Sequence, residues 1–144
     1  MTVKDLIARK GTHAAIISPN AAISRAIGHL SQDDTSALVV VDDRRAVLGI
    51  LSASDIVRYL NRHGSVNTLL SAVDVMTKDV ITCSEADSLT HVQQLMTAHR
   101  IRHVPVIRNG VLHGIVTTLD LFNDRMRRAE ADVVQMRNYL VGAA

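Results

Sequence analysis

The chain has 144 residues and a formal net charge of +2, a mild excess that does not by itself indicate a nucleic-acid partner. Cys83 is the only cysteine, which excludes an intrachain disulfide and fits an intracellular compartment. The first residues lack the apolar stretch of a signal peptide, and no run approaches the roughly 18 apolar residues of a membrane span. We therefore expect a soluble, cytoplasmic protein with no membrane partner.

Two halves of the chain show the same order of elements. Each half begins with a short amphipathic segment and continues with an apolar strand. A helix opened by a serine follows, with Ser18 before Pro19 in the first half and Ser84 in a capping box in the second. Two more strands and a closing helix complete each half. In chain order, the strands are predicted at 14–17, 38–41, 47–51, 80–83, 104–107 and 111–117.

The last two predicted strands form a hairpin. Asn109-Gly110 lies between them and is the strongest short sequence signal for this turn. Pro105 cannot donate to a ladder, so its strand is predicted to be an edge or to leave that position unpaired. Each half thus places three short strands against two helices. The predicted fold class is α+β, with two β-α-β-β-α units packed face to face.

One residue pattern occurs twice and supports this division. Glycine, two apolar residues, a hydroxyl residue, two variable positions, an aspartate and an aliphatic residue follow one another in Gly49–Ile56 and again in Gly114–Leu121. A repeat of this size indicates one supersecondary unit used twice. The cleft between the two units is therefore the first place where we expect a ligand.

The predicted boundaries are a first repeat at 1–64, a linker at 65–72, a second repeat at 73–128 and a C-terminal helical extension at 129–144. The last helix carries an apolar seam with alternating spacings of four and three residues. Its members are Phe122, Met126, Ala129, Val133, Met136 and Leu140. The seam must be buried on the chain's own core or on a second copy. Because this tail extends past the repeat, we expect a second copy.

The doubled pattern resembles a tandem pair of cystathionine beta-synthase (CBS) domains, an arrangement often called a Bateman module. The resemblance covers about residues 3–128 and rests on the two signatures and on the strand opening Arg102-His103-Val104-Pro105-Val106. It implies two repeats about a pseudo-two-fold axis and a homodimer through the CBS faces and the last helix. It also implies a non-catalytic regulatory module, without an obligatory cofactor, that binds AMP, or ADP or ATP, between the repeats and signals to a partner protein.

Two hydroxyl–aspartate pairs are the first candidates for ligand contact. The carboxylates of Asp55 and Asp120 can each accept both hydroxyls of a ribose diol. Ser52 and Thr117 precede them where a strand ends and a helix begins, a position that favours an anion. The same residues also fit capping boxes, which stabilise a helix start and bind nothing. Both interpretations stay open on the sequence alone.

The resemblance implies further contacts at the opening of the second repeat's strand. Arg102 and His103 would reach nucleotide phosphates, to which the guanidinium fork is suited. The corresponding residues of the first half, Ser36 and Ala37, carry no charge. One filled site, or a ligand with little negative charge, is therefore expected rather than two strong ATP sites, and a solvated basic edge is the alternative. The other residues expected to contact the nucleotide are Val80, Thr82, Val104 and Pro105.

No catalytic or metal-binding constellation emerges from the sequence. There is no phosphate-binding glycine loop and no spaced serine, histidine and acid. His99 and His103 are four residues apart, but a helix is predicted to end between them, so we expect no metal site. The first functional alternative is a structural homodimer without a working nucleotide site. The last is a nucleic-acid-binding protein, which is disfavoured because this chain has few aromatic residues for stacking on bases.

Overall fold

The computed structural model describes residues 1–32, 34–67 and 69–143. Thr68 of the predicted linker and Ala144 of the predicted extension lie outside the described residues. The elements are α1 Val3–Lys10, β1 Ile16–Ile17, α2 Ile23–Leu30, β2 Ala37–Val41, β3 Val47–Ser52, α3 Ala53–His63, α4 Ala72–Val75, α5 Leu89–His99, β4 His103–Arg108, β5 Val111–Thr117 and α6 Thr118–Ala143.

The strands form one sheet in each half, which confirms the predicted α+β class. In the first half the order is β1-β2-β3, with β1 parallel and β3 antiparallel to β2. In the second half β4 and β5 form an antiparallel pair. Asn109 and Gly110 both have positive φ angles, 52° and 78°, as a type I′ hairpin turn requires. This predicted hairpin is confirmed.

The first strand of the second half is shorter than predicted. Cys83 alone forms a parallel bridge, to Val106. In the first half the amide of Val39 donates to the carbonyl of Ala15 at 2.9 Å. Pro105 occupies the place of Val39 and has no amide hydrogen, so the ladder cannot continue to Ile81. The sequence showed the missing donor but not that it would end the strand.

Two helices begin later than predicted. Ser18 and Ser84 lie in turns, and α2 and α5 begin at Ile23 and Leu89. The preceding residues are extended because they are held by bridges from distant segments, Ala22 to Ser71 and Ser88 to Thr2. The Asp87 side chain accepts the Ser84 amide at 2.8 Å, as the predicted capping box requires. This bond closes a turn, however, and not the start of a helix.

The first helix of each repeat packs in the other half of the molecule. α1 joins the core around β4 and β5, whereas α4 joins the core around β2 and β3. A signature glycine makes room at each contact, since an added Cβ would lie 2.7 Å from Ile7 Cδ1 at Gly114 and 2.8 Å from the backbone oxygen of Thr77 at Gly49. A third cluster joins β2 and β5 between the halves, with Val39, Val41, Leu112 and Ile115 buried in it.

α6 is a single helix of 26 residues, with a length of about 39 Å. Leu121 and Asp124 are its last buried residues, and every described side chain from Arg125 to Gly142 is exposed. The predicted extension therefore continues the closing helix of the second repeat without a break. None of the helices in the described part of the chain combines the length and apolar composition that a bilayer crossing needs.

The two signature glycines should differ in their tolerance of alanine. At Gly49 a Cβ would meet the backbone oxygen of Thr77 at 2.8 Å, and this segment is also bonded to Ile50 in both directions. At Gly114 the added Cβ would clash only with the end of the Ile7 side chain, which can move. Gly49→Ala should lower the free energy of unfolding by about 1–3 kcal/mol, and Gly114→Ala by less. Urea denaturation measures both, and equal losses would contradict this account of the packing.

Candidate functional site

The carboxylate of Asp55 is buried and fully engaged by protein groups. Its Oδ2 accepts the amide of Ser52 at 2.8 Å and the Ser52 hydroxyl at 3.0 Å. Its Oδ1 accepts from Arg58 Nη2 at 2.6 Å and from Thr77 Oγ1 at 2.7 Å. Only 6% of the residue is exposed. Because four donors already surround the two oxygens, this aspartate has the geometry of a structural cap.

The carboxylate of Asp120 has different surroundings. Thr117 and Asp120 cap α6, since the Thr117 amide donates to Oδ2 at 2.9 Å and the Asp120 amide donates to Thr117 Oγ1 at 3.2 Å. Lys10 Nζ also lies 2.6 Å from Oδ2, and it donates to the carbonyl of Ile115 at 2.8 Å. Within residues 1–32, 34–67 and 69–143, no protein group donates to Oδ1. One oxygen of Asp120 is therefore available to a ligand.

His103 joins the two halves beside Asp120. Its Nε2 lies 2.7 Å from Ser36 Oγ, and its strand position pairs with Thr117. Burial, and then the charge of Arg102, lower the pKa of this imidazole, although Asp120 acts in the opposite direction. A neutral ring at neutral pH keeps one donor and one acceptor for its partners. Sequence reasoning noted Ser36 only as an uncharged counterpart and missed this contact.

Arg102 is exposed at the same edge. Its carbonyl accepts the amide of Thr118 at 3.1 Å, which uses one of the free N–H groups at the start of α6. The guanidinium remains at the surface, where it can meet an anion that enters from solvent. Its predicted contact with phosphate stays a prediction.

The remaining predicted contacts lie at different depths. Val104 and Pro105 are buried, and the Val104 side chain belongs to the core of the second half. Val80 is half-buried and Thr82 is exposed. A ligand can therefore reach Val104 only through its backbone, whereas residues 80–82 lie partly open beside Pro105. Because Pro105 has no N–H, it cannot give the carbonyl of Ile81 the bond that Val39 gives the carbonyl of Ala15 in the first half.

Two further groups bear on the chemistry of this region. Burial raises the pKa of the Cys83 thiol to about 12, so this side chain is a neutral thiol at neutral pH and a poor nucleophile. Asp124 is buried one turn after Asp120, and its carboxylate lies 3.5 Å from Arg9 Nη2 and 3.3 Å from Arg128 Nε. Two ion pairs, Arg9–Asp124 and Lys10–Asp120, thus connect the end of α1 to α6.

The family model for the CBS domain matches residues 3–62 and 72–126. The chain belongs to the CBS-domain family. It is 34% identical over 112 residues to an uncharacterised 17.7 kDa protein of Acidianus ambivalens, a match that covers 76% of this chain and 66% of that relative. The predicted tandem pair of CBS repeats is confirmed.

Solved structures of CBS-domain proteins share most of this fold. One from Agrobacterium tumefaciens has a TM-score of 0.80 at 35% identity, and the match covers 87% of this chain and 99% of that one. The CBS-domain pair of protein MJ0100, solved with 5′-methylthioadenosine and S-adenosyl-L-methionine, has a TM-score of 0.73 at 26% identity and covers 90% and 98% of the two chains. The likeness extends over both repeats.

His103 should make the fold less stable in acid. Its pKa is lowered in the folded state, so the unfolded chain binds the proton more readily. The free energy of unfolding should therefore fall as the pH drops below about 6.5, the ordinary histidine value. His103→Gln, which can still bond Ser36, should lessen this fall. Urea denaturation at several pH values measures it, with exposed His13→Gln as the control. An unchanged slope in His103→Gln would contradict this origin of acid sensitivity.

Proposed function

We propose that this protein is a non-catalytic regulatory module that binds an adenine nucleotide, AMP foremost, between its CBS repeats and reports it to a partner protein. The observation that carries the proposal is the state of Asp120, a carboxylate with one oxygen free of protein donors. It lies beside a hydrogen bond that joins the two halves, His103–Ser36. A ribose diol is the group that such an acceptor can take.

The open backbone at Ile81 supports recognition of an adenine edge. No backbone N–H of the described residues donates to the carbonyl of Ile81, so this carbonyl can accept from an exocyclic amino group. The half-buried Val80 and Ile81 and the buried Pro105 supply apolar contact for a flat ring. An unpaired backbone acceptor in an apolar setting distinguishes a base with an amino group from one without it.

The ligand class agrees with what a structural relative binds. The CBS-domain pair of protein MJ0100 was solved with two compounds that contain adenosine. Among adenosine compounds, AMP fits this chain best because Arg102 adds one exposed cation at the edge. Thr118, whose amide is already bonded to the Arg102 carbonyl, offers little to a longer polyphosphate. ADP and ATP are the alternatives within the same proposal.

The regulatory step follows from the position of the site. A ligand shifts a conformational equilibrium only if it binds one arrangement better than another. A nucleotide held by Asp120 and His103 from the second repeat, and by Ser36 from the first, would bind one relative placement of the repeats best. In this function the chain catalyses no reaction. The bound nucleotide would act on the partner protein by favouring this placement of the repeats.

Nucleotide affinity should depend on Asp120 and not on Asp55. Asp120→Asn removes the ionised acceptor and should weaken AMP binding by about tenfold or more. Asp55→Asn is the matched control: it should lower the melting temperature, since Asp55 is buried among four donors, and keep the wild-type affinity. Fluorescence titration with a labelled AMP, run well below both melting temperatures, measures the effect. Flat titrations of AMP, ADP and ATP up to millimolar concentrations would refute the function.

We also propose that the protein is a homodimer through the CBS faces and the C-terminal helix. Arg125 still bonds Gln93 of α5, but every described side chain of α6 after it is exposed. Helices in proteins take most of their stability from packing of an apolar face, which this part of α6 lacks within one chain. The seam residues Val133, Met136 and Leu140 are 58–63% exposed in one chain. Their heptad spacing is typical of helices that pair with another helix of the same kind.

Charges placed in the seam should separate the dimer. The wild-type mass in light scattering should be twice 15.7 kDa at micromolar concentration. The double variant Val133→Asp/Met136→Asp should shift it to the monomer value, because carboxylates at an apolar interface are costly to desolvate. Asn138→Asp, outside the seam, is the matched control and should stay dimeric. A monomeric wild type would refute the assembly and leave the nucleotide site untouched.

A structural homodimer without a working nucleotide site is the second candidate. The observation in its favour is that both signature aspartates cap helices and Asp55 has no free acceptor. It predicts a dimer whose thermal stability is indifferent to adenylates. A thermal-shift screen separates the two functions, because a ligand that binds the folded state raises the melting temperature through mass action.

A further inference from the structure

Lys10 lies inside the cleft that the proposed function assigns to the nucleotide. It ends α1, and its ammonium donates to Asp120 Oδ2 and to the Ile115 carbonyl. About a quarter of its side chain is exposed, and Asp120 is similarly covered, with 24% and 17% exposed. An ammonium has three donors, so one remains for another oxygen.

The ammonium engages one of the two carboxylate oxygens of Asp120 that a ribose diol would bind. Oδ2 of Asp120 accepts from Thr117 as well as from Lys10, and an oxygen with two lone pairs then has no acceptor capacity left. A diol that binds a carboxylate through both oxygens can do so here only after Lys10 has moved. The cost of that movement is the loss of a partly buried, charge-assisted hydrogen bond.

A phosphate would compensate for this cost and a hydroxyl would not. The displaced ammonium is attached to four flexible carbons, so it can move without α1 and take a new anion nearby. A nucleoside 5′-phosphate brings that anion with it, whereas a nucleoside leaves the ammonium without one. We propose that Lys10 is an internal counter-ion of Asp120 that makes the cleft select phosphorylated adenine nucleosides over uncharged ones. This inference rests on the proposed function of the cleft.

The Lys10–Asp120 ion pair has no counterpart at Asp55 in the first repeat. α1 has eight residues and α4, its counterpart in the other repeat, has four. The extra turn of α1 carries Arg9 and Lys10, and α4 offers no cation at the matching place. Asp55 instead receives a neutral hydroxyl from Thr77 and a cation from its own helix. The two repeats thus share their signature and differ in what reaches its aspartate.

The adjacent ion pair provides a matched control. Arg9 pairs with Asp124, which lies on the same helix as Asp120 but is buried away from the proposed ribose position. Arg9→Met and Lys10→Met remove one cation each from the same turn and break one ion pair each. Only the second change alters the proposed ligand contact. Lys10→Arg keeps the charge and serves as the conservative variant.

Isothermal titration of AMP and of adenosine into the wild type and the three variants tests the inference. The wild type should bind AMP about tenfold or more tightly than adenosine, the value expected for one charge-assisted bond. In Lys10→Met adenosine should bind more tightly and AMP more weakly, so that the ratio falls well below the wild-type value, with Arg102 supplying what preference remains. Arg9→Met and Lys10→Arg should keep the wild-type ratio.

Each other result has a definite meaning. A wild-type ratio in Lys10→Met, or a ratio lost equally in Arg9→Met, would overturn the role of Lys10 while nucleotide binding stands. Equal weakening of AMP and adenosine binding in Lys10→Met would also overturn it, because Lys10 would then contribute to both affinities alike and give no selectivity. Binding of neither compound by any of the four proteins would refute the proposed function itself. Melting temperatures of the variants establish that each is folded.

Discussion

The exchange of helices between the repeats is the constraint on which the rest of the structure depends. α1 places Val3 and Leu6 in the core of the second half, and α4 places Ala72 and Val75 in the core of the first. Separation of the halves would expose these side chains to water, which opposes it strongly. The two repeats are therefore held together by the contacts that stabilise the fold, and a ligand bound between them would act on both halves.

The same exchange explains why two nearly identical signatures give two different sites. Each signature aspartate faces the C-terminal end of the helix brought from the other repeat, or the residues just after it. Asp55 meets the hydroxyl of Thr77 and becomes a fully bonded cap. Asp120 meets the extra turn of α1 and receives Lys10 instead. A local motif thus specifies a helix start in both places, and its distant neighbours decide whether an acceptor remains for a ligand.

The local features of the fold could be predicted from the sequence. Short apolar runs on either side of turn residues, with Asn109-Gly110 as the clearest turn, predicted both hairpins to within a residue or two. The capping role of both aspartates was open to prediction because a capping box spans only four residues. The helix starts at Ile23 and Leu89 were missed, since the bridges that delay them come from segments far along the chain.

The contacts that define the site could not be predicted from the sequence either, because they too join residues far apart in the chain. Lys10 and Asp120 are 110 residues apart, and Ser36 and His103 are 67 apart. Neither pair follows from spacing, period or turn chemistry, because packing between the repeats brings them together. Pro105 is an intermediate case: its missing donor was visible, but its effect on Ile81 required the partner strand. Long-range packing, rather than residue type, gives this cleft its chemistry.

The number of nucleotides bound per chain tests the central claim most directly. If the exchanged helices leave Asp55 fully bonded and Asp120 with a free oxygen, calorimetric titration with AMP should give one binding site per chain, in the dimer as in the monomer. Two equivalent sites per chain would contradict the asymmetry between the repeats. No site would contradict the cleft as a place of ligand binding.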